Sequence, residues 1–213
     1  MKAIFLLATL KTTASGEYSH TEALSLVLVE ELKKLGCESE FVRLVDHNIP
    51  VGLKSDMGPG DEWPTILPKI TSADIVIFAT PIWWGGHSSL MQRVIERMDA
   101  LNDELIEKGT SGLLGKVGGM VITGEEDGAE HVIGNLANFL IWNGMTLPPA
   151  VSLSYLGGYE NTEAATVDKF KKQESTLGMA KTMANNLVHM ATFLKNNPYP
   201  DQEKNSQYIA NKN

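Results

Sequence analysis

The stretch 74–86, Asp-Ile-Val-Ile-Phe-Ala-Thr-Pro-Ile-Trp-Trp-Gly-Gly, holds side chains and backbone suited to gripping a flat conjugated ring. Trp83 and Trp84 offer large, weakly hydrated faces for stacking, while Gly85 and Gly86 let backbone amides approach a ligand closely. The same residues also fit a Trp-rich hydrophobic corner beneath a loop, so residue type alone leaves both readings open. A second set of polar groups lies between Ala8 and Thr21, in a segment that is hydroxyl-rich and nearly free of glycine. Hydroxyls of Thr9, Ser19 and Thr21, the ammonium of Lys11 and the amides opening the next helix would together hold one terminal phosphate monoester. Ser19 or His20 would equally serve as an ordinary helix cap. No G-x-G-x-x-G follows the first apolar run and no G-x-x-x-x-G-K-[ST] is present, which suits a mononucleotide rather than a dinucleotide.

These groups need elements to position them. Residues 75–79 are continuously apolar, too long a run for a one-sided sheet and too short for a helix, which predicts a central parallel strand covered on both faces. Residues 80–86 then leave at its carboxyl end, where open α/β sheets hold ligands. Residues 3–8 read as a first strand, and 21–35 as a helix with Leu24, Val27, Leu28, Leu32 and Leu35 at helical spacing, stopped by Gly36. A second strand is expected over 41–45, a Gly- and Pro-containing loop over 48–64 and a short helix over 65–71. Leu90, Met91, Val94, Ile95 and Met98 mark the next helix, and a connection ends at Gly115-Lys116. Residues 117–123 form a fourth strand, Val132, Ile133, Leu136, Ala137 and Leu140 a further helix, and 146–154 a fifth strand limited by Pro148-Pro149. A long terminal helix is expected over 163–194, and past it a polar tail, 197–213, that wanders or reaches a neighbouring subunit. The alternation predicts an α/β fold, a doubly wound five-stranded parallel sheet in one domain spanning 1–196. Two strand orders compete, the dinucleotide fold and the flavodoxin order 2-1-3-4-5, and the first loop favours the second.

Composition removes several classes of function. The chain has 213 residues, 43% hydrophobic and 21% charged, with no apolar run near the ~20 residues of a membrane helix. A formal charge of −8 disfavours nucleic acid and anionic membranes as partners. The single cysteine, Cys37, excludes an internal disulfide framework or a Cys-rich metal site and fits a reducing, cytoplasmic setting. His20, His47, His87 and His189 show no metal-binding spacing with His131, so no metal is expected.

The loop 9–21, the turn Thr80-Pro-Ile-Trp-Trp-Gly-Gly86 and Leu114-Gly-Lys-Val117 leading to Thr123-Gly124 resemble the flavodoxin-like NAD(P)H-dependent FMN reductase and quinone reductase superfamily, including flavoproteins of the tryptophan-repressor-binding-protein type. The resemblance covers residues 1 to about 155. It implies FMN as cofactor and NADH or NADPH as electron donor. It places Thr9, Lys11, Ser19, His20 and Thr21 at the FMN phosphate, with Ser19-His20-Thr21 standing where members often read Gly-Asn-Thr. It runs Pro81, Ile82, Trp83, Trp84, Gly85 and Gly86 along the flavin ring, with backbone groups towards N5 and the pyrimidine edge. Thr123, Gly124, Glu125 and Gly128 fall in the third flavin loop. There the acidic Glu125, Glu126 and Asp127 depart from the glycine-rich pattern, and either accept hydrogen bonds from the flavin or form a solvated turn capping the next helix. His131 is the candidate to hydrogen-bond or protonate a quinone-type acceptor, since imidazole is the side chain suited to proton transfer near neutral pH. Tyr155 and Tyr159, flanking Gly157-Gly158, could wall the pocket. The function implied is an FMN-dependent oxidoreductase reducing quinones, flavin or similar small acceptors. The alternative is a flavodoxin-type electron carrier that does not itself oxidise NAD(P)H. The segment 102–116 and the terminal helix suit an oligomer interface, so a homodimer or homotetramer is expected.

Overall fold

The buried apolar runs organise the chain into alternating strands and helices, seen in a computed structural model that describes residues 1–157 and 167–204. In chain order these are β1 (Lys2–Leu7), α1 (His20–Lys34), β2 (Glu38–Arg43), α2 (Trp63–Ser72), β3 (Ile75–Trp83), β4 (Gly86–His87), α3 (Ser89–Arg97) and α4 (Asp99–Lys108). They continue with β5 (Val117–Gly124), α5 (Ala129–Trp142), β6 (Ser152–Leu156), α6 (Val167–Lys172) and α7 (Glu174–Asn196). The parallel strands lie in the order β2-β1-β3-β5-β6, and the short β4 folds back antiparallel on β3. Counting parallel strands alone, this is the 2-1-3-4-5 flavodoxin order that the first loop favoured.

Alternation along β1 divides the core. Ala3, Phe5 and Leu7 face a layer built from α1, α6 and α7, with Leu24, Leu28, Phe170, Met183 and Leu187. Ile4 and Leu6 face the layer of α2, α3 and α5, with Trp63, Ile66, Met91, Val94 and Leu136. Within β5, Gly119 lets α7 pack close to the sheet, because a Cβ there would lie 2.8 Å from Met183 Cε and 2.7 Å from Ile77 Cδ1 of β3.

The loop before α2 is held by a buried ion pair. Arg97 Nη2 lies 2.6 Å from Asp61 Oδ2, with both side chains 0% exposed. Arg97 also donates to the carbonyls of Lys54 and Pro50, and its guanidinium sits 5.7 Å from the Trp63 ring centroid. Asp61 in turn accepts from the amides of Met57 and Trp63, and the Arg97 guanidinium chiefly holds its carboxyl down at about 2. Cys37 is buried with its Sγ 3.7 Å from the Glu38 carbonyl, and burial pushes its thiol up to about 11.

Several boundaries differ from the sequence expectation. The second strand starts earlier, at Glu38, because β2 is an edge strand paired only with β1, where polar Glu38, Ser39 and Glu40 are tolerated. Leu44, which extended the apolar run, instead opens a 3₁₀ turn, Leu44–Asp46. The fifth strand is later, at Ser152–Leu156. Proline has no amide to donate to a ladder, so Pro148-Pro149 stays in the connection, and Thr146 makes only an isolated bridge to Val117. The long terminal helix is two helices, broken at Gln173, whose backbone is extended. Its expected start at 163 falls outside the described residues. The connection after α3 contains a further helix, α4, whose buried residues are only Leu101 and Leu105, a stripe too thin to read; Gly109 ends it at φ 80°. The described part of the tail folds back on its own chain. Thr146 Oγ1 donates to Tyr199 Oη at 3.1 Å, and the Gln202 amide donates to the Gly109 carbonyl. Among the described residues no helix is long and apolar enough to cross a membrane.

Candidate functional site

Parallel register brings three loops to one edge of the sheet. Leu7 of β1 lies beside Ala79 of β3, and Pro81 of β3 beside Thr123 of β5, so the chain leaves all three strands as neighbours. The first loop, 8–19, delivers the chain to the N-terminus of α1, whose first-turn amides lack intrahelical acceptors. Thr9, Ser19 and Thr21 are buried there. Ser19 is the helix cap, its Oγ accepting from the Glu22 amide at 3.3 Å, as the capping reading had it. Thr9 Oγ1 accepts from the Lys11 amide at 3.3 Å. The Lys11 ammonium donates to the Tyr18 carbonyl at 2.6 Å and closes the loop on itself. His20 opens the helix, its ring edge-on to Tyr18. Arg43 of β2 steadies the loop from outside, donating to the Lys11 carbonyl at 2.8 Å and pairing with Glu22.

The second loop is a hairpin. Ile82 pairs with His87 and Trp83 with Gly86, which leaves Trp84-Gly85 as a two-residue turn with φ of 50° and 78°. Positive φ at both central residues is the type I′ pattern, which normally selects Asn-Gly because a bulky side chain is strained there. The indole of Trp84 is fully exposed, at 103% of its free area, and Trp83 is 52% exposed. The buried-corner reading of the Trp pair is therefore excluded. Pro81 and Ile82 are half-buried at the hairpin's base.

The third loop, 124–128, packs directly against this hairpin. A Cβ on Gly128, whose φ is 91°, would sit 2.9 Å from Gly85 Cα and 3.3 Å from Gly85 O; one on Gly124 would sit 2.7 Å from Ile82 Cδ1. Glu125, Glu126 and Asp127 are exposed between these contacts, so the third loop is negative. The first and third loops are joined beneath by Thr21 and Thr123, whose buried hydroxyls share a hydrogen bond at 2.6 Å. His131 is exposed near the start of α5, and its ring makes no hydrogen bond to any described residue. Tyr155 packs edge-on against buried Phe170, 4.8 Å between centroids, and so serves the core; Tyr159 and Gly158 lie outside the described residues.

Two connections escaped the sequence reading. Ser88 precedes α3 and looks like a cap, yet its buried Oγ donates to the Ala8 carbonyl at 2.8 Å and its amide donates to Thr80 Oγ1 at 3.0 Å, tying the hairpin to β1. His87 Nε2 lies 3.0 Å from Asn135 Oδ1, tying the hairpin to α5. Neither carries a local signal, since each depends on a partner far along the chain. Two grooves of about 410 Å³ each lie elsewhere, one beside Leu105, Trp142 and Tyr199, the other between α3 and α5.

Comparison with known proteins agrees with this arrangement. A family model described as NADPH-dependent FMN reductase matches residues 1–156. The 8-demethyl-8-aminoriboflavin-5'-phosphate synthase of Streptomyces davaonensis is 31% identical over 208 residues, which cover 93% of this chain and 80% of that protein. The crystal structure of RosB with the bound intermediate 8-demethyl-8-formylriboflavin-5'-phosphate superposes with a TM-score of 0.82 at 32% identity, covering 93% of this chain and 82% of that one. A Mycobacterium bovis protein named divalent metal cation transporter MntH is 33% identical over 92% of this chain, but the chain spans only 29% of its length.

Proposed function

The chain belongs to the NADPH-dependent FMN reductase family, and from that membership we propose that it oxidises NADH or NADPH and reduces a quinone, a flavin or a similar small acceptor. It is an FMN-dependent oxidoreductase of flavodoxin-like fold. One observation carries the site assignment: a Cβ on Gly128 would meet Gly85 at 2.9 Å, so the second and third loops close into one continuous wall beside the hydroxyl-lined first loop.

The residues present fit FMN. Thr9, Ser19, Lys11 and the first-turn amides of α1 form a donor set for a phosphate monoester, with His20 and Thr21 at the same helix start and the Thr21 hydroxyl held by Thr123. Backbone groups of the segments 81–86 and 123–128, Glu125 among them, border a flat ring. When bound, FMN supplies the ring that accepts a hydride and passes electrons onward. The protein's part is to hold that ring in a fixed seat with one face open, and to place amide donors where negative charge develops. His131, exposed on α5, is proposed to protonate the reduced acceptor. Exposed Ile141 and Trp142 at the end of α5 support a homodimer or homotetramer.

A second reading, in which a flavin is itself the substrate, is favoured by the similarity to the Streptomyces davaonensis synthase. The deciding experiment reconstitutes the protein with FMN and mixes it anaerobically with NADH or NADPH. Rapid bleaching of the bound flavin, with FMN of unchanged mass recovered on reoxidation, supports the reductase. A flavin of altered mass, after a parallel aerobic incubation of the FMN-loaded protein with an amino donor, supports the second reading. Bound flavin that stays oxidised would indicate an electron carrier.

The Thr21–Thr123 bridge gives a narrower expectation. Thr123→Val leaves a buried hydroxyl unpaired at a cost of about 1–3 kcal/mol. It should weaken FMN binding by about tenfold, measured by fluorescence titration, whereas Thr123→Ser should stay close to wild type.

A further inference from the structure

Trp84 is the residue at which local chemistry and observed conformation disagree most. A two-residue turn with positive φ at both positions selects Asn-Gly, yet this hairpin presents Trp-Gly at 50° and 78°. The indole also leaves its whole apolar surface in water, although Gly85 and Ile82, its near neighbours in the same hairpin, are packed against the third loop. Neither propensity nor burial accounts for an indole here, and rule-breaking of this kind concentrates at functional positions.

We propose that the Trp84 side chain is a specificity determinant, its face stacking on a neutral, planar, conjugated acceptor such as a quinone of one or two rings at the mouth of the site. The inference rests on the FMN-dependent reading above and separates the two parts of the residue. The backbone of Trp84 belongs to the hairpin that borders FMN. The side chain touches none of the loops, so the closure of the flavin seat, made at Gly85 and Gly128, does not depend on it. The nature of the ring follows from charge. Glu125, Glu126 and Asp127 are exposed on the loop that packs against Gly85, which disfavours an anionic acceptor ring beside the indole.

The test uses Trp84→Asn and Trp84→Ala in the FMN-loaded full chain. Asn suits the turn, so the apoprotein melting temperature of Trp84→Asn should rise by about 2–4 °C, while Ala, strained at the same φ, should give no such gain. FMN dissociation constants are measured alongside, so that each KM is read on fully loaded protein. The KM for a naphthoquinone should rise about tenfold more than that for ferricyanide, which has no face to stack, and Trp84→Phe, which keeps a face, should recover most of that rise. An unchanged naphthoquinone KM in both variants overturns the inference. Loss of FMN affinity would assign the indole to the cofactor, overturning the inference but leaving the FMN reading intact; failure of the wild-type chain to bind FMN would remove that reading itself. A change in mass by light scattering with unchanged KM would assign the indole to a subunit contact, and would also overturn it.

Discussion

Asp61→Ala should lower the unfolding free energy by about 3–5 kcal/mol, because it strands the Arg97 guanidinium in the interior without its counter-charge. Urea denaturation followed by circular dichroism reads this directly. The loss is that of a broken partnership rather than of a contact, so the double variant Asp61→Leu with Arg97→Met should be much milder than the two single effects added. The same pair sets an acid limit. The Asp61 carboxyl titrates at about 2 in the fold and at 3.8 when unperturbed, so its stabilisation is complete above about 4 and is lost as pH falls towards 2. This pH-dependent stabilisation amounts to about 2 kcal/mol. Asp61→Asn should lack that part of the acid transition. A single variant that loses less than about 1 kcal/mol would mean that the loop before α2 is held by something other than this pair.

Gly128→Val should reduce FMN affinity by about a hundredfold or more while leaving the helical signal and most of the stability in place. The side chain is forbidden twice over: φ is 91°, and its Cβ would begin 2.9 Å from Gly85 Cα, backbone that cannot swing aside as a side chain would. The third loop must move away from the hairpin, opening the wall that borders the ring. Gly16→Ala is the matched control, since its φ is also positive, at 65°, but nothing lies within 4 Å of the added carbon. Fluorescence titration with FMN separates the two. If Gly128→Val binds FMN within about threefold of wild type, the contact between these loops is no part of the flavin seat.

The sequence revealed most where a signal was local and strong. The uninterrupted apolar runs of β1 and β3 announced a sheet covered on both faces, and the glycine-poor first loop singled out the strand order that the sheet adopts. It revealed less where polarity and pairing traded places. Glu38, Ser39 and Glu40 join the sheet because an edge strand has a wet face, and no periodicity marks that. Helix α4 rests on two buried leucines. In the site, Trp83, Trp84 and the glycines stood out by type, but whether the indoles were buried or displayed depended on the hairpin that pairs Ile82 with His87 and Trp83 with Gly86. Ser88 and His87 could not be read at all, since each is given its role by a partner, Ala8 or Asn135, distant in sequence.

Cys37 has a practical consequence for following the hairpin. The chain's only thiol lies buried at the end of α1's turn, with burial keeping it protonated well above neutral pH. Because alkylating and maleimide reagents attack the thiolate, Cys37 should remain silent towards them at neutral pH. A cysteine introduced on the exposed surface of the third loop or the hairpin would then be the one site to take a spin label or fluorophore, without first removing the native residue. The native chain is in effect a ready cysteine-free background for measuring how far the hairpin and third loop separate when flavin is added or reduced.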